Sequence, residues 1–200
     1  MKYITFLLLI IFIILNVFMI IKNRGYKNEL AVRDQKYKED IFLLKDKLFQ
    51  HATYGYFNLT QETVLTNDKR EDIVFGKITE NGSKLVFRFT ESNCWACVEA
   101  ELLKLEALNK IIPKERIVLL TSYADVKSLS ILKKKYKLSF PIYNISLKNL
   151  AHNSIETLNI PYLFVVDHNS GPAKMVFIPD KSLPGLSGEY YKMVSKYLLN

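Results

Sequence analysis

Soft metal ligands are scarce in this chain of 200 residues, which holds 2 cysteines and 3 histidines. A structural zinc site needs four ligands, and beyond Cys94 and Cys97 there are only His51, His152 and His168, none at a finger-like spacing. No cysteine borders the apolar run near the N-terminus, so nothing there can be lipidated. No small-x-small pair follows that run either, which removes the peptidase site of a cleaved signal peptide. Charge is absent from residues 3–21, where Tyr3, Thr5 and Asn16 are almost the sole polar side chains. What remains is ordinary globular material, 49% hydrophobic and 24% charged, too rich in apolar residues for a disordered chain. The net charge of +8 would permit nucleic-acid binding, but the positive residues are spread out and an anchor argues against it, so no nucleic-acid partner is expected.

At the helical rise, residues 3–21 span about 28 Å, close to the roughly 30 Å hydrocarbon layer of a bilayer. Residues 1–22 therefore read as a transmembrane signal anchor, with the lipid bilayer as partner of residues 3–21. Residues 23–52 are a charged stalk in which Leu30, Tyr37, Ile41, Leu44 and Leu48 fall along one helical face. A face of that kind either dimerises two anchored chains as a short coiled coil or packs on its own domain. The stripe covers barely three heptads and Asp34 interrupts it.

Residues 53–200 change syntax to short apolar runs separated by helical ones, the pattern of an α/β domain. Ile73 to Ile78 and Leu85 to Phe89 read as strands of a hairpin around the turn Glu80-Asn81-Gly82-Ser83. Soon after the second comes Cys94-Trp95-Ala96-Cys97, then a helix on which Val98, Leu102, Leu105, Leu108 and Ile112 share a face. Both cysteines thus stand at a helix start, where unpaired N–H groups and the positive end of the dipole favour thiolate over thiol. Cys94 is the expected acidified, attacking thiol, and Cys97, one turn deeper, the resolving one. A structural disulfide closing so small a loop would stabilise little, which favours the redox reading.

Downstream, strands are expected at Arg116 to Leu120 with Thr121, at Phe140 to Tyr143, at Tyr162 to Asp167 and at Lys174 to Ile178. Helices are expected at Asp125 to Tyr136 and Tyr190 to Leu199, with an irregular stretch before Asn159 and a turn over Asn169-Ser170-Gly171-Pro172.

The order strand, Cys-x-x-Cys at a helix start, strand, helix, Ile160-Pro161 before a hairpin and final helix resembles the thioredoxin-like superfamily. It is most similar to the membrane-anchored TlpA/ResA-like thiol-disulfide oxidoreductases, whose extra strand and helix before the proline are matched by residues 138–160. The resemblance covers residues 70–200 and implies a central mixed sheet flanked by helices. It further implies a cis bond at Pro161, with Trp95, Ile160, Pro161 and Tyr162 contacting an extended substrate segment by strand addition. Two departures stand out. The family's aromatic residue before the first cysteine is replaced by Asn93, a candidate helix cap. Arg88 occupies the strand position where the family often keeps an acid; it either lowers the thiol pKa or forms a salt bridge to Glu99 or Glu101.

The implied activity is thiol-disulfide exchange on a protein disulfide substrate, with reduction as the expected direction. With no third thiol, electrons must pass to or from a partner, which the resemblance makes a membrane electron-donor thiol protein. No metal or organic cofactor is required. Two alternatives stay open: a copper-binding chaperone using Cys94 and Cys97 with His168 or His152, and a redox-inactive interaction module. For topology, Lys22, Arg24 and Lys27 outnumber Lys2 before the span and favour a cytoplasmic domain. The chemistry and the resemblance favour a single-pass protein of a bacterial inner membrane with its domain in the periplasm.

Overall fold

The computed structural model describes residues 2–54, 59–167 and 172–199. Of the sequence expectations, the turn at Asn169-Ser170-Gly171-Pro172 lies largely outside the described residues, as does His168. The chain divides into two compact units, Met1–Leu48 and Phe49–Asn200.

One continuous helix, α1 (Lys2–Tyr54), makes up the first unit and runs past its boundary at Leu48, so the expected anchor and stalk share a single helix. Gly25 does not interrupt it, because the roughly 1 kcal/mol that a glycine costs is spread over strong helix formers on both sides. An Arg33–Glu29 pair at 2.8 Å, one turn apart, supports the polar half. In the apolar half Phe12, Leu15, Phe18, Ile20 and Ile21 are all exposed, so apolar side chains point in every direction around the axis. Among the described residues no helix is long and apolar enough to cross a membrane; the side chains of residues 4–11, within the run 3–21, lie outside them.

The second unit is built on a seven-stranded mixed sheet in the order β2-β1-β5-β4-β3-β6-β7. Its centre is β3 (Lys84–Thr90) and β4 (Ile117–Ser122), parallel and buried along nearly their whole length, which is why both are predominantly apolar. On one side β5 (Ile142–Asn144) runs parallel to β4; on the other β6 (Tyr162–Val166) and β7 (Lys174–Phe177) add antiparallel strands. Helices α3 (Trp95–Leu108), α4 (Lys127–Lys135) and α5 (Pro184–Leu199) contribute to one core with Leu85, Phe87 and Phe89 of β3. Val86 of β3 points instead into a second core with Val118, Leu120, Ile155 and Tyr162.

The largest departure from expectation precedes β3. Residues 73–78 are not one strand paired with β3: β2 (Asp72–Val74) gives way at once to a short helix, α2 (Phe75–Thr79), and pairs with β1 (Val64–Asn67). Backbone hydrogen bonds from Phe75 N to Thr63 O and Gly76 N to Gln61 O draw the chain off the sheet there. The turn into β3 does form at Gly82, whose φ of 96° is open to glycine at little cost. A Cβ at that position would also lie 2.1 Å from Nη1 of Arg116, which hydrogen-bonds Ser83 O. The last helix begins at Pro184, ahead of the expected Tyr190.

Candidate redox site

Cys94 is the N-cap of α3 and Cys97 lies in its first turn. The carbonyl of Cys94 accepts hydrogen bonds from Cys97 N (2.9 Å) and Val98 N (3.1 Å), which starts the helix directly at the first cysteine. Asn93 is therefore not the cap. Both cysteines are free thiols, Cys94 exposed and Cys97 half-buried. Hydrogen bonding from the Cys97 side chain, reinforced by its backbone N–H and by the charge of Lys181, holds the Cys94 thiol below its ordinary range. The same hydrogen bond, together with burial and the charge on Cys94, pushes Cys97 up. The two sulfurs are thus unequal, an exposed one that ionises readily beside a sheltered one that keeps its proton.

The chain just before Cys94 is tied to the segment before Pro161. Asn93, buried, accepts at Oδ1 from Thr90 N (2.8 Å) and donates from Nδ2 to Asn159 O (2.8 Å). Ser92 Oγ donates to Asn159 Oδ1 at 2.8 Å. Asn159 adopts the left-handed conformation (φ 48°, ψ 44°) that asparagine tolerates, and turns the chain toward β6. The expected cis bond at Pro161 is absent; among the described residues no peptide bond is cis.

Arg88 is not beside the thiols. Side chains alternate along β3, so a residue next to Phe87 and Phe89, which face α3, points to the opposite face and cannot meet Glu99 or Glu101. Arg88 is 1% exposed and bidentate to Glu156, Nε to Oε1 and Nη2 to Oε2, both at 2.9 Å. Its Nη1 donates to Phe89 O at 2.9 Å. Tyr162 is equally buried and donates to Glu156 Oε1 at 2.5 Å, and burial with the nearby carboxylate raises its hydroxyl well above the ordinary range. Tyr162 thus belongs to this buried triad rather than to an open substrate surface. The triad lines a cavity of about 400 Å³ together with Ser92, Asn93 and Ile160. Glu101 instead accepts from Tyr191 Oη at 2.6 Å and from Lys104 at 2.5 Å.

Trp95, within the cysteine motif, is half-buried and donates from Nε1 to Tyr136 Oη at 3.0 Å. Among the described residues no group of three His, Cys, Asp or Glu side chains converges as metal ligands would. Sequence reasoning missed Lys181, Asn159 and Glu156. Lys181 precedes a helix whose start was placed too late, and the other two lie in an irregular stretch without periodicity.

No protein-family model matches the chain, and no curated protein matches it. Solved structures do. A structure from Bacteroides vulgatus, provisionally assigned as a thiol-disulfide oxidoreductase, aligns at 11% identity over 66% of this chain and 86% of its own, with a TM-score of 0.50. A thiol:disulfide interchange protein from Bacteroides sp. aligns at 14% identity over 72% and 90%, with a TM-score of 0.49. A thiol peroxidase from Chromobacterium violaceum aligns at 12% identity over 67% and 86%, with a TM-score of 0.46. The domain has a thioredoxin-like fold, a mixed sheet flanked by helices. Likeness at this level fixes the fold alone, and chemistry has to be argued from the site.

Proposed function

We propose that the protein is a membrane-anchored thiol-disulfide oxidoreductase of the TlpA/ResA-like kind, reducing disulfides of extracytoplasmic proteins. One observation carries the reading: an exposed thiol, Cys94, stands at the N-cap of α3 with a second, half-buried thiol, Cys97, in the same first turn, where the helix terminus favours thiolate. In the reaction, the Cys94 thiolate attacks one sulfur of the substrate cystine. A Cys94–substrate disulfide forms, the substrate S–S bond breaks, and the departing sulfur takes a proton. Cys97 then loses its proton and attacks the Cys94 sulfur, so the second substrate thiol leaves and the Cys94–Cys97 disulfide remains. The substrate gains two electrons, and a partner dithiol restores the pair by the reverse exchange.

The anchor rests on residues 3–21, which are apolar in sequence and whose described side chains leave no polar face. A bacterial inner membrane with the domain on the periplasmic side follows from where protein disulfides persist. The exposed Leu30 and Tyr37 on the stalk suit pairing of two anchored chains.

The test is covalent trapping in membranes. A Cys97→Ser variant should accumulate mixed disulfides on Cys94 that dithiothreitol releases, and a Cys94→Ser variant should not. Absence of such adducts in both would remove the mechanism. A membrane-impermeant maleimide should label Cys94 in intact cells after mild reduction; labelling confined to lysed cells would reverse the topology.

A further inference from the structure

Beside Trp95, the residue that follows Cys94, the molecule carries a second recess that plays no part in the exchange chemistry. It lies between the first residue of α3 and the outer face of α4, has a volume of about 300 Å³, and is lined by Trp95, Tyr123, Ile131, Leu132, Tyr136 and Lys135. Ser128, Ile131 and Lys135 recur at helical spacing, so they form one stripe of α4 facing Trp95. Ile131 is 65% exposed, a large apolar side chain left in water beside two half-buried aromatic rings.

Its electrostatics are one-sided. Lys135 lies 5.8 Å from the centroid of the Trp95 ring and 5.0 Å from that of Tyr136, over the wall of the groove. Lys133 is neutralised by Asp68 at 3.0 Å, but among the described residues neither Lys134 nor Lys135 has a carboxylate partner. α4 has no acidic side chain in its first turn and ends in Lys133, Lys134 and Lys135. The groove is therefore lined mainly by apolar and aromatic side chains and carries one cation, Lys135, with no acidic residue in its lining.

We infer that this groove is a substrate-side-chain subsite: it receives a large apolar residue flanking the cysteine of a protein disulfide, with an acidic residue of the same segment drawn to Lys135. This rests on the oxidoreductase reading and deepens it by naming the substrate class. Trp95 is adjacent to Cys94 in the chain, so a segment joined through the Cys94 sulfur sets its neighbouring residues against this wall. Burial of one apolar side chain there removes Ile131 and the ring faces from water, and the unpaired ammonium selects the sign of the flanking charge.

The experiment is single-turnover reduction of disulfide-linked peptides by the fully reduced, full-length protein in detergent. The peptides place Phe or Ser beside the cysteine and Glu or Lys beyond it. Phe-Glu peptides should react fastest, with the Glu-over-Lys preference about five-fold at low ionic strength and shrinking in 0.5 M salt, as for one partly exposed ion pair. A Lys135→Glu variant should invert the charge preference, and Ile131→Ser should lower the rate ratio of Phe to Ser peptides. If the wild-type protein reduces bis(2-hydroxyethyl) disulfide but treats all four peptides alike, the subsite is overturned while the oxidoreductase reading stands. If it reduces neither, both fall together.

Discussion

Replacing Glu156 by Ala strips the buried Arg88 of its counter-ion and tests whether the triad on the far face of β3 holds the site in place. Two charge-assisted hydrogen bonds of 2.9 Å disappear, and Tyr162 loses the acceptor at 2.5 Å. Breaking a buried pair by removing one partner costs about 3–5 kcal/mol, because the remaining charge is left without compensation. Truncating Glu156 opens the adjoining cavity of about 400 Å³ onto the guanidinium and admits water, which brings the expected loss to the lower end, about 3 kcal/mol. With an m-value of about 1.5 kcal/mol/M in urea, the midpoint should fall by about 2 M. The chain has a single tryptophan, Trp95, in the domain, so its fluorescence reports domain unfolding without interference from α1. Arg88→Met combined with Glu156→Leu removes both charges and should recover most of the loss, whereas Arg88→Met alone should not. A Glu156→Ala cost below about 1 kcal/mol, or a double variant no better than the single ones, would falsify the account of Arg88 as a charge whose burial depends on Glu156.

Three further outcomes are expected. Alkylation of Cys94 by iodoacetamide should rise with pH through a midpoint below that of a free thiol, and Cys97→Ala should move the midpoint upward by deleting the hydrogen bond that heads the causes of the shift, with Cys97→Ser moving it less. An unchanged midpoint in Cys97→Ala would mean that the helix terminus and Lys181 suffice. Asn93→Ala removes the bonds to Thr90 N and Asn159 O and should cost about 1–2 kcal/mol, read as a lower thermal midpoint, while slowing peptide reduction more than reduction of a small disulfide. Gly82→Ala should destabilise by about 1–3 kcal/mol in chemical denaturation, because alanine must adopt a φ of 96° and displace Arg116; a neutral result would show that the turn relaxes freely.

What could be read from the sequence was what local physics determines. β6 is an unbroken apolar run, β3 and β4 are predominantly apolar, α3 has apolar residues at helical spacing, and a cysteine pair at a helix start announces itself within a few residues. The errors fell where long-range partners decide. Ile73 to Ile78 alternates like a strand, yet backbone bonds to Gln61 and Thr63 fold its second half into α2. Arg88 was legible as an anomaly in a buried strand, and alternation alone assigns its face, but its partner Glu156 stands 68 positions downstream in a stretch with no period to mark it. Lys181 was invisible for the same reason: its approach to the cysteines is made by the path from β7 to α5, and nothing local in the residues Asp180-Lys181-Ser182 encodes that path.

These long-range contacts explain how two loops of different origin come to form one site. The Cys94 loop is positioned through α3, whose Val98, Leu102 and Leu105 lock into the core on one face of the sheet. The segment ahead of Pro161 is positioned from the other face, by Glu156 gripping Arg88 and Tyr162. The two cores lie on opposite faces of the sheet, and the proposed exchange needs the Cys94 sulfur and the segment before Pro161 held in fixed register. Asn93 and Asn159 supply that coupling, because their amide contacts join the loops at positions one residue before the cysteine and two before the proline. An apolar pair in place of Arg88 and Glu156 would pack as well and could stabilise the fold more. It would also leave the turn at Asn159 free to choose among packings, so the buried charges are better understood as fixing one loop conformation than as adding stability.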